Sequence, residues 1–270
     1  MTGFVEHVTH RVPGQLDAPG PGRLPCLGEQ SKRHHRASVP RGLSATSSEP
    51  GAGRGLNPGG DGSVGGMTNE GERTTLLLVR HGQSTWNSER RWQGQADPPL
   101  SEHGREQALI ASRFLGNVDV IVSSPQIRAL ETAAIIGAQL GVGPVQVAED
   151  LRERNAGEWS GLTTTEIEEQ WPGWIDSDQR PDGWEYDEPL LARTLAAIEM
   201  IIAAWAGADL LLVSHGGLIL ALEQHLRVND GRIPNLHGRL MHHVGGQLVA
   251  GDRLELIPPE SSTGGTGGRV

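Results

Sequence analysis

Three short apolar runs, each followed by polar residues, restrict the fold of this chain more than any other feature of its sequence. They are Thr74 to Arg80, Val118 to Ser123 and Asp209 to Ser214. A continuous apolar run of this length is typical of a strand that is buried on both faces of a sheet. The chain is therefore expected to build its core around a sheet that has no face open to water.

Amphipathic stretches with helical spacing separate or follow these runs. They are Ser101 to Leu115, Pro125 to Leu140, Glu188 to Trp205 and Gly217 to Leu226. The alternation of strands and helices predicts an α/β fold with a mostly parallel sheet and helices on both of its faces. A Gly245-Gly246 pair between His237 to Val244 and Gln247 to Ile257 predicts a closing hairpin.

The two ends of the chain differ in composition from this central part. The first 66 residues are rich in Gly, Pro, Ser and Arg and show no periodicity, so we expect them to be disordered. The break in composition favours Met67 as the natural start, and a genuine flexible tail is the alternative. The predicted division is a disordered segment 1–66, a domain 67–260 and a Gly-rich flexible tail 261–270.

Charge and cysteine content narrow the function classes. The formal net charge of -10 makes nucleic acid and anionic membranes poor partners, so an anionic ligand must be held by local positive groups. The most apolar region, Leu195 to Val213, is interrupted by Glu199 and Asp209 and is no membrane span. A single cysteine, Cys26, fits a reducing compartment and predicts a cytoplasmic protein.

Polar residues suited to phosphate follow each of the three predicted strands. These are Arg80-His81-Gly82, then Ser123-Ser124-Pro125 with Arg128 shortly after, and Ser214-His215-Gly216-Gly217. In an open parallel sheet, ligands bind beyond the carboxyl ends of the strands, where loops and helix N-termini supply directed donors. We therefore expect two histidines and two arginines to converge on one anion-binding site.

Five segments in fixed order resemble the motifs of the histidine phosphatase superfamily, the phosphoglycerate mutase-like proteins. They are LLLVRHGQSTWN, RWQGQADPPLSEHGREQA, SSPQIRALETA, LRERNAGEWSGL and LLVSHGG. A lone Arg-His-Gly would be a weak signal, but five ordered matches are specific. The resemblance covers Thr74 to Ile257 and implies a three-layer α/β/α sandwich, in agreement with the periodicity.

The resemblance also implies catalytic roles. His81 would attack phosphorus and become the phosphohistidine, and Arg80 and Arg128 would clamp the non-bridging oxygens. His215, protonated beside a dianion, would stabilise the transition state. Glu153 would protonate the leaving group and then activate water, with Glu158 as the alternative acid.

Further residues would complete the substrate site, and no metal or other cofactor is expected because cationic side chains take its place. The residues predicted to bind substrate besides the two arginines are Asn87, Gln93, Gly94, Gly216, Trp184 and Tyr186. Trp184 and Tyr186 are candidates to stack on an apolar or ring-shaped leaving group. His242 and His243 are adjacent in a predicted strand and so face opposite sides, which disfavours a shared metal.

Three functions fit these motifs. Asp176 to Glu188 holds six acidic residues against Arg180 alone, which would repel a multiply charged substrate and favours hydrolysis of a monophosphate. RWQGQADPPLSEHGREQA looks closest to phosphatases of sugar phosphates and glycosylated phosphoglycerate. We therefore predict a phosphatase of a small sugar-phosphate-like metabolite. A cofactor-dependent phosphoglycerate mutase and a non-catalytic phospho-ligand binding protein are the alternatives, and self-association is left open.

Overall fold

A computed structural model describes residues 73–228 and 230–258 of the chain. The strands are β1 (Thr74–Arg80), β2 (Val120–Ser123), β3 (Gln146–Val147), β4 (Asp209–Ser214), β5 (His237–Val244) and β6 (Gln247–Glu255). The α-helices are α1 (Thr85–Ser88), α2 (Glu102–Ala111), α3 (Ile127–Leu140), α4 (Thr164–Gln170), α5 (Asp187–Ala204) and α6 (Gly216–His225). Short 3-10 helices form at Glu149–Leu151 and Gly157–Trp159. The predicted disordered segment, the start at Met67 and the C-terminal tail lie outside the described residues.

The strands form one mixed sheet in the order β3-β2-β4-β1-β5-β6. The first four strands of this order are parallel, while β5 is antiparallel to β1 and to β6. The predicted α/β class, the mostly parallel sheet and the closing hairpin are thus confirmed. Arg80 at the end of β1 is in register with Ser214 at the end of β4, so the residues that follow these two strands emerge side by side.

Alternating side chains divide the core between the two faces of the sheet. Leu76, Leu78, Leu210 and Leu212 pack with residues of α5 and α6, such as Ile198, Leu218 and Leu222. Val79, Ile121, Leu211 and Val213 pack with residues of α2 and α3, such as Ala108, Ala133 and Ile136. Successive residues of a strand point to opposite faces, so the two clusters place one pair of helices on each face of the sheet.

The start of α3 differs from the sequence prediction. We expected Pro125 in its first turn, but the helix begins at Ile127 and Gln126 remains extended. The amide of Ile127 donates to Asp97 Oδ1 over 2.7 Å, so a distant aspartate caps this helix. Arg128 consequently lies in the first turn of α3, at the end of the helix that faces the carboxyl edge of the sheet.

The remaining differences are at helix ends and in short elements. The prediction for α2 ran to Leu115, whereas the helix ends at Ala111. The helices α1 and α4 and the two-residue strand β3 were not predicted, because each is too short to show a periodic pattern. Among the described residues, the helices lack the length and apolar character that a membrane crossing requires.

Candidate active site

His81 and His215 lie next to each other at the carboxyl ends of β1 and β4. Their ring centroids are 5.2 Å apart and the rings meet edge to face. The backbone amide of His81 donates to the carbonyl of Ser214 over 3.0 Å, which extends the pairing of the two strands by one residue. The structure therefore brings the two histidines together at the ends of these strands.

The hydrogen bonds of His81 determine its tautomer. Nδ1 lies 2.6 Å from the carbonyl oxygen of Gly82, which can only accept, so Nδ1 carries the proton. Nε2 in turn accepts a hydrogen bond of 3.2 Å from Nε of Arg128. Nε2 is therefore unprotonated. Its lone pair points towards the guanidinium of Arg128, which can also bind an anion.

Both histidines are buried among cationic groups. Burial is the largest cause that holds the pKa of His81 well below its usual value, and Arg128 and Arg80 add to it. Burial, followed by Arg128, His81 and Arg80, likewise lowers the pKa of His215. The protein alone thus favours two neutral rings. The protonated His215 predicted from the sequence would need the negative charge of a bound phosphate.

These lowered pKa values predict a pH-dependent stability. Below the ordinary histidine pKa of about 6.5, the unfolded chain binds protons that the folded chain excludes from His81 and His215. We expect the free energy of unfolding to fall as the pH drops below roughly 6.5, by up to about 1.4 kcal/mol per pH unit for each histidine. Urea denaturation of wild type and His215→Gln at several pH values measures this, and the variant should show the shallower slope. Equal slopes would contradict the neutral burial of His215.

Arg128 is fully buried and its guanidinium makes three hydrogen bonds. Besides His81 Nε2, it donates to the carbonyl of Ala96 over 2.7 Å and to that of Gly94 over 2.9 Å. Gly94 has a φ of +52°, and a Cβ there would lie 2.7 Å from the amide nitrogen of Ala156, so only glycine fits. Burial lowers the pKa of Arg128 to about 10, against the opposing effect of Glu153, and it stays charged at neutral pH.

Arg80 is held less firmly. Within the described residues its guanidinium donates only to the carbonyl of Ile233, over 2.7 Å, and its buried Nε has no partner. A Cβ on Gly216 would lie 3.4 Å from this Nε, so the glycine lets Arg80 pass close to the start of α6. Burial and the nearby Arg232 lower the pKa of Arg80 to about 10.

Glu153 and Glu158 occupy different environments. Glu153 is buried, and its carboxylate accepts the amides of Gly217 and Leu218 at the start of α6 over 3.0 and 3.2 Å. The electrostatic effect of Glu153 reaches both Arg80 and Arg128. Glu158 is exposed. The structure therefore brings Glu153, and not Glu158, to the two arginines.

Asn87 and Gln93 are linked to the site through Ser84. The Ser84 hydroxyl donates to Gln93 Oε1 over 2.8 Å, and its amide donates to Asn87 Oδ1 over 3.1 Å. Asn87 Oδ1 also accepts from Asn235 Nδ2 over 3.3 Å. These bonds use the acceptor oxygens of both amides, so their NH₂ groups are what the two side chains can offer to a phosphate.

A cavity of about 480 Å³ adjoins the start of α6. Trp92, Trp159, Trp184 and Tyr186 contribute its aromatic walls, and Gly217 also lines it. Trp92, Trp159 and Trp184 contact one another with ring centroids 5.4 to 6.1 Å apart. The cavity therefore lies beside Glu153, because Gly217 contacts both.

Trp184 and Tyr186 differ in their availability to a ligand. The guanidinium carbons of Arg154 and Arg180 each lie 5.3 Å from the Trp184 ring centroid, so cations already lie over the ring predicted to stack on a leaving group. Tyr186 is 58% exposed and lines the same cavity. Tyr186 is therefore more available than Trp184 to stack on a leaving group.

The acidic segment is less negative than its sequence indicates. Glu185 forms an ion pair of 2.8 Å with Arg193, and Asp187 forms one of 2.5 Å with Arg154. Both arginines lie outside residues 176–188, so the count of six acids against one base overstates the charge. The cavity itself is lined by two basic and two acidic residues, which are Arg154, Arg180, Asp178 and Asp187.

The sequence indicated Ser124 only as one of the polar residues suited to phosphate, and it gave no role to Gln126 or Asn235. Ser124 Oγ lies 2.8 Å from His215 Nε2, and Gln126 Oε1 accepts the amide of Glu153 over 2.7 Å. Asn235 Nδ2 donates to the carbonyl of His81 over 2.8 Å. Ser124 and Gln126 belong to the quoted SSPQIRALETA motif, which was a signal for them. Asn235 lies outside the five motifs.

Metal ligands do not cluster in the part of the chain that the structure describes. No three His, Cys, Asp or Glu side chains there are grouped as a metal ion would require. The positive groups near His81 are instead the guanidiniums of Arg80 and Arg128.

Fold and site together define a class of phosphoryl-transfer protein. Residues 76–242 match the model described as the histidine phosphatase superfamily, branch 1, and the chain belongs to this superfamily. Over 166 residues the chain is 40% identical to glucosyl-3-phosphoglycerate phosphatase of Mycobacterium tuberculosis, covering 56% of this chain and 74% of that protein. It is 32% identical over 187 residues to a metal-independent phosphoserine phosphatase of Arabidopsis thaliana, covering 64% and 78%. A solved structure of mycobacterial glucosyl-3-phosphoglycerate phosphatase has a TM-score of 0.60 at 30% identity, covering 66% of this chain and 97% of that one.

Proposed function

We propose that this protein hydrolyses a small phosphomonoester through a phosphohistidine on His81. The observation that carries the proposal is the buried, neutral His81, whose unprotonated Nε2 faces the guanidinium of Arg128. A free imidazole nitrogen is a nucleophile at neutral pH, and a planar guanidinium binds phosphate oxygens. Membership of the histidine phosphatase superfamily supports the same chemistry.

In the first step, His81 Nε2 attacks phosphorus while the bond from phosphorus to the leaving-group oxygen breaks. Arg80 and Arg128 bind the non-bridging oxygens, and His215 adds a hydrogen bond as charge develops on them. Glu153 gives a proton to the leaving oxygen, so that an alcohol rather than an alkoxide departs. The products are the free alcohol and phosphohistidine.

In the second step, the deprotonated Glu153 takes a proton from a water molecule as its oxygen attacks phosphorus. The bond from phosphorus to Nε2 breaks, and inorganic phosphate leaves. The hydrogen bond from Nδ1 to the Gly82 carbonyl keeps the ring in one orientation through both steps. His81 returns to its neutral form without any net proton change.

The cavity beside Glu153 supports a sugar-phosphate-like substrate. Its volume of about 480 Å³ suits a small metabolite, and it adjoins the acid that would protonate the leaving group. Aromatic walls together with paired charges favour a polar, uncharged ring over a second phosphate. The similarity to glucosyl-3-phosphoglycerate phosphatase supports the same substrate class.

Phosphate release from a panel of sugar, nucleoside and glycerate phosphates tests this function. We expect release without added metal and in the presence of a chelator, with sugar phosphates among the best substrates. Isomerisation of a glycerate phosphate with little release, dependent on a bisphosphoglycerate primer, would instead identify a mutase. Binding of phosphorylated ligands with neither reaction would identify a binding protein.

Location and assembly also belong to this proposal. The single cysteine and the net charge of -10 support a cytoplasmic protein that acts on a small metabolite, without nucleic acid or membrane partners. Self-association remains a prediction.

A further inference from the structure

Residues 230–236, here named the strap, connect the active site to a cluster of charged residues away from it. On the side of the site, the Ile233 carbonyl accepts from Arg80 over 2.7 Å, and Asn235 Nδ2 donates to the His81 carbonyl over 2.8 Å. The amide of Leu236 donates to the carbonyl of Arg80 over 3.0 Å. The strap therefore contacts both the side chain and the backbone of the proposed phosphate site.

The other side of the strap is bound by two arginines of the hairpin. Arg253 on β6 donates to the carbonyls of Asp230 and Arg232 over 3.1 Å each, and to that of Gly231 over 2.6 Å. Arg239 on β5 donates to the Asp230 carboxylate. The backbone and one side chain of the strap are thus fixed to the hairpin.

Glu223 on α6 holds both of these arginines. Its carboxylate is fully buried. Oε1 accepts from Arg239 Nε over 2.7 Å and from Arg253 Nε over 3.0 Å, and Oε2 accepts from Arg253 Nη2 over 2.5 Å. The two guanidiniums compensate the negative charge of this buried carboxylate on both of its oxygens, and the carboxylate in turn fixes the positions of the guanidiniums. The cluster of Glu223, Arg239, Arg253 and Asp230 therefore sets where the strap lies.

Arg80 depends on this arrangement more than Arg128 does. The Arg128 guanidinium has three partners near the site, whereas the Ile233 carbonyl is the one partner of the Arg80 guanidinium among the described residues. A shift of the strap would therefore turn Arg80 away from the phosphate oxygens while leaving Arg128 in place. Misplacement of a binding group by about 1 Å reduces catalysis up to about 10²-fold.

We propose that Asp230, Arg239, Arg253 and Glu223 are positioning residues that orient Arg80 for phosphate through the strap. The inference rests on the proposed phosphatase function but concerns residues that do not touch the substrate. Asp230 is the member of choice for a test, because its side chain is 55% exposed and its loss opens no cavity in the core. Glu255 is a matched control, since it is an exposed carboxylate of the same hairpin that lies 3.9 Å from His237 Nε2.

The experiment compares wild type, Asp230→Asn, Asp230→Ala and Glu255→Ala by orthovanadate affinity, by kcat and KM for a phosphomonoester, and by melting temperature. We expect Asp230→Ala to lose about tenfold in kcat/KM and in vanadate affinity. Asp230→Asn, which keeps an acceptor for Arg239, should lie between it and wild type. All four melting temperatures should agree within about 3 °C, and Glu255→Ala should match wild type.

Several results would overturn the positioning role. One is a wild-type vanadate affinity and kcat/KM in Asp230→Ala, and another is an equal loss in Glu255→Ala. A third is a loss that merely follows a fall in melting temperature across the series. Vanadate affinity does not depend on turnover. If the wild-type protein binds vanadate but releases no phosphate, the proposed function is wrong. The positioning role of the strap is then still tested by the vanadate affinities of the variants.

Discussion

Replacing His81 with alanine is expected to reduce phosphate release by at least about 10⁴-fold. The side chain supplies the nucleophilic Nε2, and no other described histidine has an unprotonated nitrogen that accepts from Arg128. His215 cannot substitute for it, because its Nε2 is engaged with Ser124. Steady-state phosphate release with a sugar phosphate measures the effect.

His225→Ala is the control for this substitution. His225 is an exposed residue at the end of α6, so its removal should leave activity unchanged. Substrate analogues should still bind to His81→Ala, since Arg80 and Arg128 remain. Activity of His81→Ala within tenfold of wild type would contradict the assignment of the nucleophile.

Glu153→Gln is expected to show an effect that depends on the leaving group. With an alkyl phosphate we expect a loss of about 10³-fold, because an alkoxide departs poorly without a proton. With p-nitrophenyl phosphate the first step needs no acid, but hydrolysis of the phosphohistidine still needs a base. Rapid mixing should therefore give a burst of nitrophenolate followed by slow turnover.

Glu158→Gln tests whether Glu158, and not Glu153, is the general acid. Glu158 is exposed, whereas Glu153 is buried at the start of α6, so Glu158→Gln should behave as wild type with both substrates. A burst in Glu158→Gln and none in Glu153→Gln would reverse the assignment. If the first step in Glu153→Gln is slowed equally for alkyl and nitrophenyl phosphates, and no burst is seen, Glu153 acts by holding the start of α6 and not by proton transfer.

The central part of the site was predictable because it follows from strand order and strand ends. The apolar runs predicted β1 and β4 with their observed bounds, and parallel strands present their carboxyl ends at one edge. His81 and His215 each come directly after such a strand. The two histidines are therefore close once β1 and β4 are neighbours in the sheet, and the register of Arg80 with Ser214 shows that they are.

The charge of the acidic segment was not predictable from its own residues. Glu185 and Asp187 are paired with Arg193 and Arg154, and Asp187 and Arg154 are 33 positions apart in the chain. A local count of charges cannot include such partners, because they are brought close only by the tertiary fold. The predicted repulsion of multiply charged substrates is accordingly weaker than the sequence indicated.

The strap escaped prediction for a different reason. Its main contact with the site is the backbone carbonyl of Ile233, and a carbonyl acceptor is the same for every residue type. The charged residues that hold the strap lie on α6, β5 and β6, where each alone resembles a surface residue. Only the folded chain shows that Glu223 joins Arg239 to Arg253.

Trapping the phosphoenzyme is the most direct test of a phosphohistidine on His81. Wild type and Glu153→Gln are mixed with labelled p-nitrophenyl phosphate, quenched within milliseconds and digested, and the modified peptide is identified by mass spectrometry. We expect a base-stable, acid-labile phosphate on the peptide that carries His81, with greater accumulation in Glu153→Gln. Rapid phosphate release without any such intermediate, or a label on another residue, would contradict it.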